Sequence, residues 1–327
     1  MKTLTVVSAV LALVVITLGA YTRLTDAGLG CPDWPGCYGH LLVPDESKAA
    51  QLEQAFPERP LETQKAWNEM IHRYVAGVLG LLIAALAFMA WRKRSQQIEA
   101  PFALPILLLA LVIFQAALGM WTVTMNLMPV VVLAHLLGGF STFCLLILLA
   151  MRLHDWHIPG GDIQLRRFSA LGLSVLLALV LQIVLGGWTA TNYAALVCTE
   201  LPICEGNWWQ KLDLGAFQLW QPGHENYEFG VLNYSERMTI HVFHRFWALV
   251  VTAMLVWLCW RLFQQASSKF FKRLAVAMFA VLLVQVGLGI SNVVMSLPLA
   301  VAVAHNAVAA CLLALVVAAN YALQRKV

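Results

Sequence analysis

Apolar residues run along this chain in eight stretches of about 20, the length an α-helix needs to cross the hydrocarbon of a bilayer. They lie near 3–22, 68–91, 101–124, 129–153, 168–191, 237–262, 271–294 and 298–323. The pattern predicts an all-α integral membrane protein with eight transmembrane helices. Composition agrees: 61% of the 327 residues are hydrophobic and 12% are charged, far from the balance of a soluble domain. Two long polar segments, 38–66 and 205–236, interrupt the apolar pattern. Their aromatic residues, Trp208, Trp209 and Trp220 among them, suit a short segment lying on the membrane surface or lining an entry to the bundle.

Charge gives the expected orientation. Lys2, Arg92, Lys93, Arg94, Arg152, Arg166, Arg167, Arg261, Lys269, Lys272, Arg273, Arg325 and Lys326 fall on one side, with only Glu99, Asp155 and Asp162 as acids. Asp45, Glu46, Glu53, Glu58, Glu62, Glu205, Asp213, Glu225 and Glu228 crowd the long segments on the other. By the positive-inside rule both termini are cytoplasmic, in a multi-pass protein of the inner (plasma) membrane. The net charge of +4 reflects this asymmetry and implies no nucleic-acid partner. Lys2 and the run ending Leu18-Gly19-Ala20 resemble a signal peptide, but the internal repeat requires that helix, so it is expected to remain.

The repeat relates the two halves at a shift of about 170 residues. Gly19-Ala20-Tyr21-Thr22 matches Gly186-Gly187-Trp188-Thr189, and Cys31 to Cys37 matches Cys198 to Cys204, each with an inner proline, Pro35 or Pro202. Ile71-His72-Arg73 matches Phe243-His244-Arg245, Gln115 to Gly119 matches Gln285 to Gly289, and Ala134-His135 matches Ala304-His305. Four helices per unit insert both units the same way up, which predicts two parallel-repeat four-helix bundles, 1–160 and 161–327. Glycines 80, 119, 138, 139, 186, 187, 287 and 289 read as ordinary close packing between membrane helices.

His72, His135, His244 and His305 carry the candidate chemistry. Ionisable residues within a membrane are functional candidates by default. Counted from the expected helix starts, each lies five or six residues in, roughly 8–9 Å at 1.5 Å per residue. The second and fourth helices of a unit run parallel, so each half offers two imidazoles at one level, the arrangement of a bis-histidine heme site. The plainer alternative, four histidines bonding to neighbouring helices, does not account for the symmetric pairing. Zinc fits less well, because two ligands per half fall short of the usual four.

His40, His154, His157 and His224 belong to loops. His241 precedes His244 by three residues and either contacts the site or sits at the interface. Glu69 precedes His72 by the same interval, so a carboxylate in the first half stands where the second has an imidazole. It is either a reactive base or nucleophile beside a metal centre or a helix-start glutamate favoured by the helix dipole. Arg73 and Arg245 are placed to hold heme propionates or to snorkel outward. On the outer, oxidising side Cys31 and Cys37, and Cys198 and Cys204, close two short loops, as structural disulfides or as pairs open to thiol exchange. Cys144, Cys259 and Cys311 read as apolar filler within helices. Walker and Rossmann motifs are absent.

Together these motifs resemble the heme A synthase family along essentially the whole chain. Most specific are Thr22-Arg23-Leu24-Thr25 with Gly28-Leu29, Cys31-Pro32-Asp33-Trp34-Pro35, then Glu69 to Arg73 and later His244-Arg245. The resemblance implies a membrane enzyme that oxidises a methyl group of heme O, through the hydroxymethyl compound heme I, to the formyl group of heme A for cytochrome oxidase. It implies a resident heme b on His244 and His305, substrate heme between His72 and His135, and Glu69 as the reactive carboxylate. It also implies heme O synthase and cytochrome oxidase assembly factors as partners and leaves homo-oligomerisation open. The competing readings are a diheme b-type electron carrier or quinol oxidoreductase, which has no need of Glu69 in one half only, and a parallel-repeat transporter. For the transporter, the prolines at 101, 105, 129 and 298 fall at helix ends rather than at mid-membrane.

Overall fold

The computed structural model describes residues 1–96, 101–154 and 162–324. Glu99, Asp155, His157, Arg325 and Lys326, which enter the charge and loop-histidine readings, lie outside them. Among the described residues eight helices are long and apolar enough to span a membrane. These are α1 (Lys2–Leu24), α3 (Thr63–Ser95), α4 (Ala103–Thr124), α5 (Pro129–Leu153), α6 (Ser169–Thr191), α7 (Tyr234–Gln265), α8 (Lys269–Val294) and α9 (Leu299–Gln324). A short α2 (Ala49–Ala55) lies in the first long loop.

Two helices begin earlier than the apolar runs suggest. Helix α3 starts at Thr63 and α7 at Tyr234, because polar first turns extend both beyond the lipid-facing stretch. For α7 the stop is explicit: Asn233 accepts from the Glu236 amide (3.0 Å) and Glu236 accepts from the Asn233 amide (2.9 Å), a reciprocal cap that satisfies two otherwise free donors. His72 and His244 therefore sit nine and ten residues into their helices, while His135 and His305 are six into theirs.

Contacts close two rings of helices: α1–α3–α4–α5 and back to α1, then α6–α7–α8–α9 and back to α6. The rings meet through α1–α9, α5–α6 and α5–α9. Buried Leu79, Ile83 and Leu86 of α3, Leu146 and Leu149 of α5, Leu255, Leu258 and Leu262 of α7, and Leu312 and Val316 of α9 form one continuous core. All lie beyond the histidines, away from the long loops. Between lipid-solvated helices such packing acts mainly through dispersion and close fit. The histidine end packs in smaller separate clusters, among them Leu133, Trp188 and Ile240.

The turns recur as well. Asp26 after α1 and Tyr193 after α6 are left-handed (φ 49° and 51°), as are Asn126 and Leu127 before α5 and Ser296 and Leu297 before α9. A left-handed leucine is sterically costly, yet it stands at both helix–helix turns. At the opposite end Asp162 accepts from the amides of Ser267 (2.8 Å) and Ser268 (2.9 Å), tying the approach to α6 to the start of α8. These bonds outweigh the effect of partial burial and hold its carboxyl below the usual range.

Candidate functional site

The four histidines project from α3, α5, α7 and α9, and each meets a glycine on the helix that precedes its own. A Cβ at Gly19 would lie 3.0 Å from Cε1 of His72, and one at Gly119 would lie 3.5 Å from Cε1 of His135. At Gly186 it would lie 2.9 Å from His244, and at Gly289 3.2 Å from His305. The small residues at 119, 186 and 289 are thus imidazole seats rather than ordinary helix packing. Gly19 completes the set.

The rings of His72 and His135 approach each other with centres 6.5 Å apart and planes at 84°. Two imidazoles on opposite sides of one metal, at metal–nitrogen bonds of about 2.0 Å, have centres roughly 6.3 Å apart. Nδ1 of each ring is buried and makes no hydrogen bond among the described residues. Buried imidazoles, each with Nδ1 unspent, fit axial ligands of a heme iron. In the second half the ring nitrogens have company: Nε2 of Gln182 is 3.1 Å from Nδ1 of His244, and Nε2 of Gln285 is 3.3 Å from Nδ1 and 3.2 Å from Nε2 of His305.

Glu69 is buried, and both its oxygens are engaged. Oε1 accepts from Nη2 of Arg73 at 2.5 Å and Oε2 from the Cys31 amide at 2.8 Å. Arg73 also donates through Nη1 to the carbonyls of Asp33 (3.0 Å) and Gly36 (2.6 Å). In the second half Nε of Arg245 donates to Nε2 of His241 at 3.2 Å. Its Nη groups donate to the carbonyls of Glu200 (2.7 Å), Cys198 (2.6 Å) and Ile203. Both guanidiniums are thus occupied by the cysteine loops above the histidines.

Those loops are closed by disulfides, Cys31–Cys37 and Cys198–Cys204. Asp33 fastens the first by accepting from the amides of Tyr38 and Gly39, both at 2.7 Å. Glu205 fastens the second, accepting from the amide and hydroxyl of Thr199, both at 2.5 Å. Partial burial opposes ionisation of Glu205, but the Thr199 bonds prevail and hold its carboxyl at about 2. Trp208 packs against Phe246 of α7 with ring centres 5.9 Å apart, whereas Trp209 and Trp220 are exposed. His40, His154 and His224 are also exposed, while His241 is buried against Arg245. Cys144, Cys259 and Cys311 are free thiols within helices.

Comparison with known proteins finds relatives along nearly the whole chain. The COX15-CtaA family model, described as cytochrome oxidase assembly protein, matches residues 2–317. The heme A synthase of Shewanella oneidensis is 50% identical over 322 residues, covering 98% of this chain and 96% of its own. The chain belongs to the heme A synthase family. More distant relatives match most of the chain: the heme A synthase of Mesorhizobium japonicum is 28% identical over 89% of this chain and 81% of its own. That of Rhizorhabdus wittichii is 27% identical over 97% and 92%. Sequence reasoning named the histidines, Glu69 and the cysteine pairs that the structure joins as disulfides, but not Gln182 or the glycines that meet the imidazoles. The signal was present: Gly19 and Gly186 open the first matched motif, and Gln182 stands four residues before Gly186.

Proposed function

We propose that this chain converts heme O to heme A, oxidising one porphyrin methyl to a formyl group for use by cytochrome oxidase. Its family membership and the 6.5 Å approach of His72 and His135 beside Glu69 support this reading; that imidazole pair is the observation that carries it. Substrate heme binds between His72 and His135 in the half spanning 1–160. A resident heme b binds His244 and His305 in the half spanning 161–327, where it supplies one-electron transfer. The two halves are parallel four-helix repeats in the inner membrane, with both termini cytoplasmic and the cysteine loops outside. Heme O synthase is the source of substrate, and cytochrome oxidase assembly factors receive the product.

Each oxidation takes two electrons and one proton from the substrate carbon, the water that brings the oxygen gives up a second proton, and the electrons leave to an external one-electron acceptor. Glu69 is the group of this chain suited to the proton work. Its carboxylate lies one helical turn before His72 and is fixed at both oxygens, so it stays aimed while positive charge grows on the carbon. Arg73 holds that carboxylate, and Arg73 and Arg245 anchor the cysteine loops over the two sites. If propionates reach these arginines, they do so by displacing loop carbonyls.

The test is Glu69→Gln in the full-length membrane protein, with hemes extracted and resolved. Heme O or its hydroxymethyl derivative should accumulate, and heme A should fall by about 10²–10⁴-fold. Normal heme A in that variant would remove Glu69 from the chemistry. Two equivalents of heme b, with no heme O or A in the wild type, would favour the electron-carrier reading.

A further inference from the structure

The two histidine pairs differ in what stands behind them. In the second half both imidazoles have a glutamine amide within hydrogen-bond distance, Gln182 at His244 and Gln285 at His305. In the first half neither does. The position matching Gln182 is Val15, whose backbone carbonyl faces His72 as that of Gln182 faces His244, but whose side chain offers no polar atom. The position matching Gln285 is Gln115, but its amide is turned away: it occupies the space over Gly138, where a Cβ would fall directly on it. Nε2 of Gln115 is buried there with no hydrogen bond among the described residues. The residue matching Gly138 is Val308, whose Cβ and methyls fill the equivalent niche and leave Gln285 to face its histidine.

From this contrast we infer that Gln182 and Gln285 are positioning residues that make the second-half heme resident, and that Val15 and the Gly138 niche leave the first-half heme free to exchange. The inference rests on the functional reading above, which needs one heme that stays and one that enters and leaves. The chemistry is that of ligand support. An imidazole bound to iron through one nitrogen carries its proton on the other, and an acceptor there fixes the ring and strengthens the ligand. Oε1 of Gln182 and of Gln285 is buried and unpartnered. Turning either amide over presents that acceptor to Nδ1–H, and amide orientation is set by such networks. For Gln182 the turn gives up only a 3.2 Å bond to the His244 carbonyl. Loss of support of this kind typically costs 10–100-fold in metal affinity.

Heme transfer from the purified, full-length protein in detergent to excess apomyoglobin tests the inference without reference to turnover. Wild-type protein should release heme in two phases, the fast one abolished by His72→Ala and the slow one by His244→Ala. Gln182→Val and Gln285→Leu should each speed the slow phase about tenfold or more and leave the fast phase alone. Gln285→Glu, which keeps an acceptor, should retain the slow phase; a purely space-filling role predicts no such rescue. Gly138→Ala should slow the fast phase by pushing Gln115 onto His135, and adding Gln115→Leu should reverse that. If the leucine variant fails to fold, Val308→Gly, which leaves both glutamines in place, should still speed the slow phase. Unchanged slow release in Gln182→Val and in Gln285→Leu or Val308→Gly overturns the inference while leaving the functional reading standing. Wild-type protein that holds no heme, or phases indifferent to both histidine variants, overturns the functional reading itself.

Discussion

The first and last four spans use the same parts to different ends. Both seat their imidazoles on glycines of the preceding helix, and both follow the first imidazole with an arginine that holds a disulfide loop. What differs is a handful of polar side chains. Near His72 and His135 stand a carboxylate, a valine and a withdrawn amide; near His244 and His305 stand an imidazole and two engaged amides. On the proposed reading, one scaffold assigns two hemes different fates by changing what touches their ligands. Site chemistry, rather than the helical frame, carries the functional difference.

The sharpest way to break the comparison is to make the halves alike at the position where they differ most. Glu69→His copies the second half into the first and should abolish heme A formation, a fall of about 10²–10⁴-fold. His241→Gln should leave it within a few fold. Heme extraction from membranes reads both. Equal losses would mean that the carboxylate has no special part.

Next in size is the arginine comparison. Arg73→Leu strands a buried carboxylate, and leaving one buried charge uncompensated costs about 3–5 kcal/mol. Arg245→Leu strands an imidazole rather than a carboxylate, while the loss of loop carbonyl contacts is common to both variants. Thermal unfolding in detergent should rank Arg73→Leu well below Arg245→Leu. Adding Glu69→Gln to the first should recover part of the gap, as expected for coupled neighbours. Equal unfolding temperatures would show that Glu69 is not charged in the folded protein.

How much of this was legible beforehand follows from the physics of each feature. Eight spans and four histidines announce themselves because long apolar runs and buried imidazoles are rare. The early starts of α3 and α7 do not, since a hydropathy window reads lipid contact and not the Asn233–Glu236 cap. Arg73 and Arg245 sit next to ligand candidates in sequence, but a helix turns successive residues by about 100°. Their donors accordingly meet the cysteine loops. The glycine seats were visible as glycines but not as seats, because a missing Cβ tells nothing of which side chain fills the gap.

Those seats give a graded test. Gly186→Ala and Gly19→Ala place a methyl 2.9 and 3.0 Å from an imidazole carbon, so the ring must move. Gly119→Ala meets its histidine at 3.5 Å, ordinary contact, and Gly287→Ala meets nothing within 4 Å. Heme content per protein should fall several-fold in the first two, on the order of the effect of disturbed ligand support. The last two should hold near wild type. A uniform response would mean that these glycines serve helix packing alone.

The smallest effect is expected at the loops, where only acid separates wild type from variant. Glu205 is held at about 2, below its ordinary value of 4.5, by bonds from Thr199 and Glu200. A carboxyl lowered by folding contributes stability that is fully present above its unfolded value and is lost as pH falls towards the folded one. The second cysteine loop should therefore loosen between pH 4.5 and about 2. Because Glu205 is only partly buried, solvent screening keeps the change local and small. Amide hydrogen exchange at Thr199 and Glu200 should quicken, relative to neighbouring amides, across that window. Glu205→Gln, which cannot titrate, should exchange faster at neutral pH and show no added step in acid. Should the variant retain the step, the acid response belongs to another group, and Glu205 is not the fastening of the second loop.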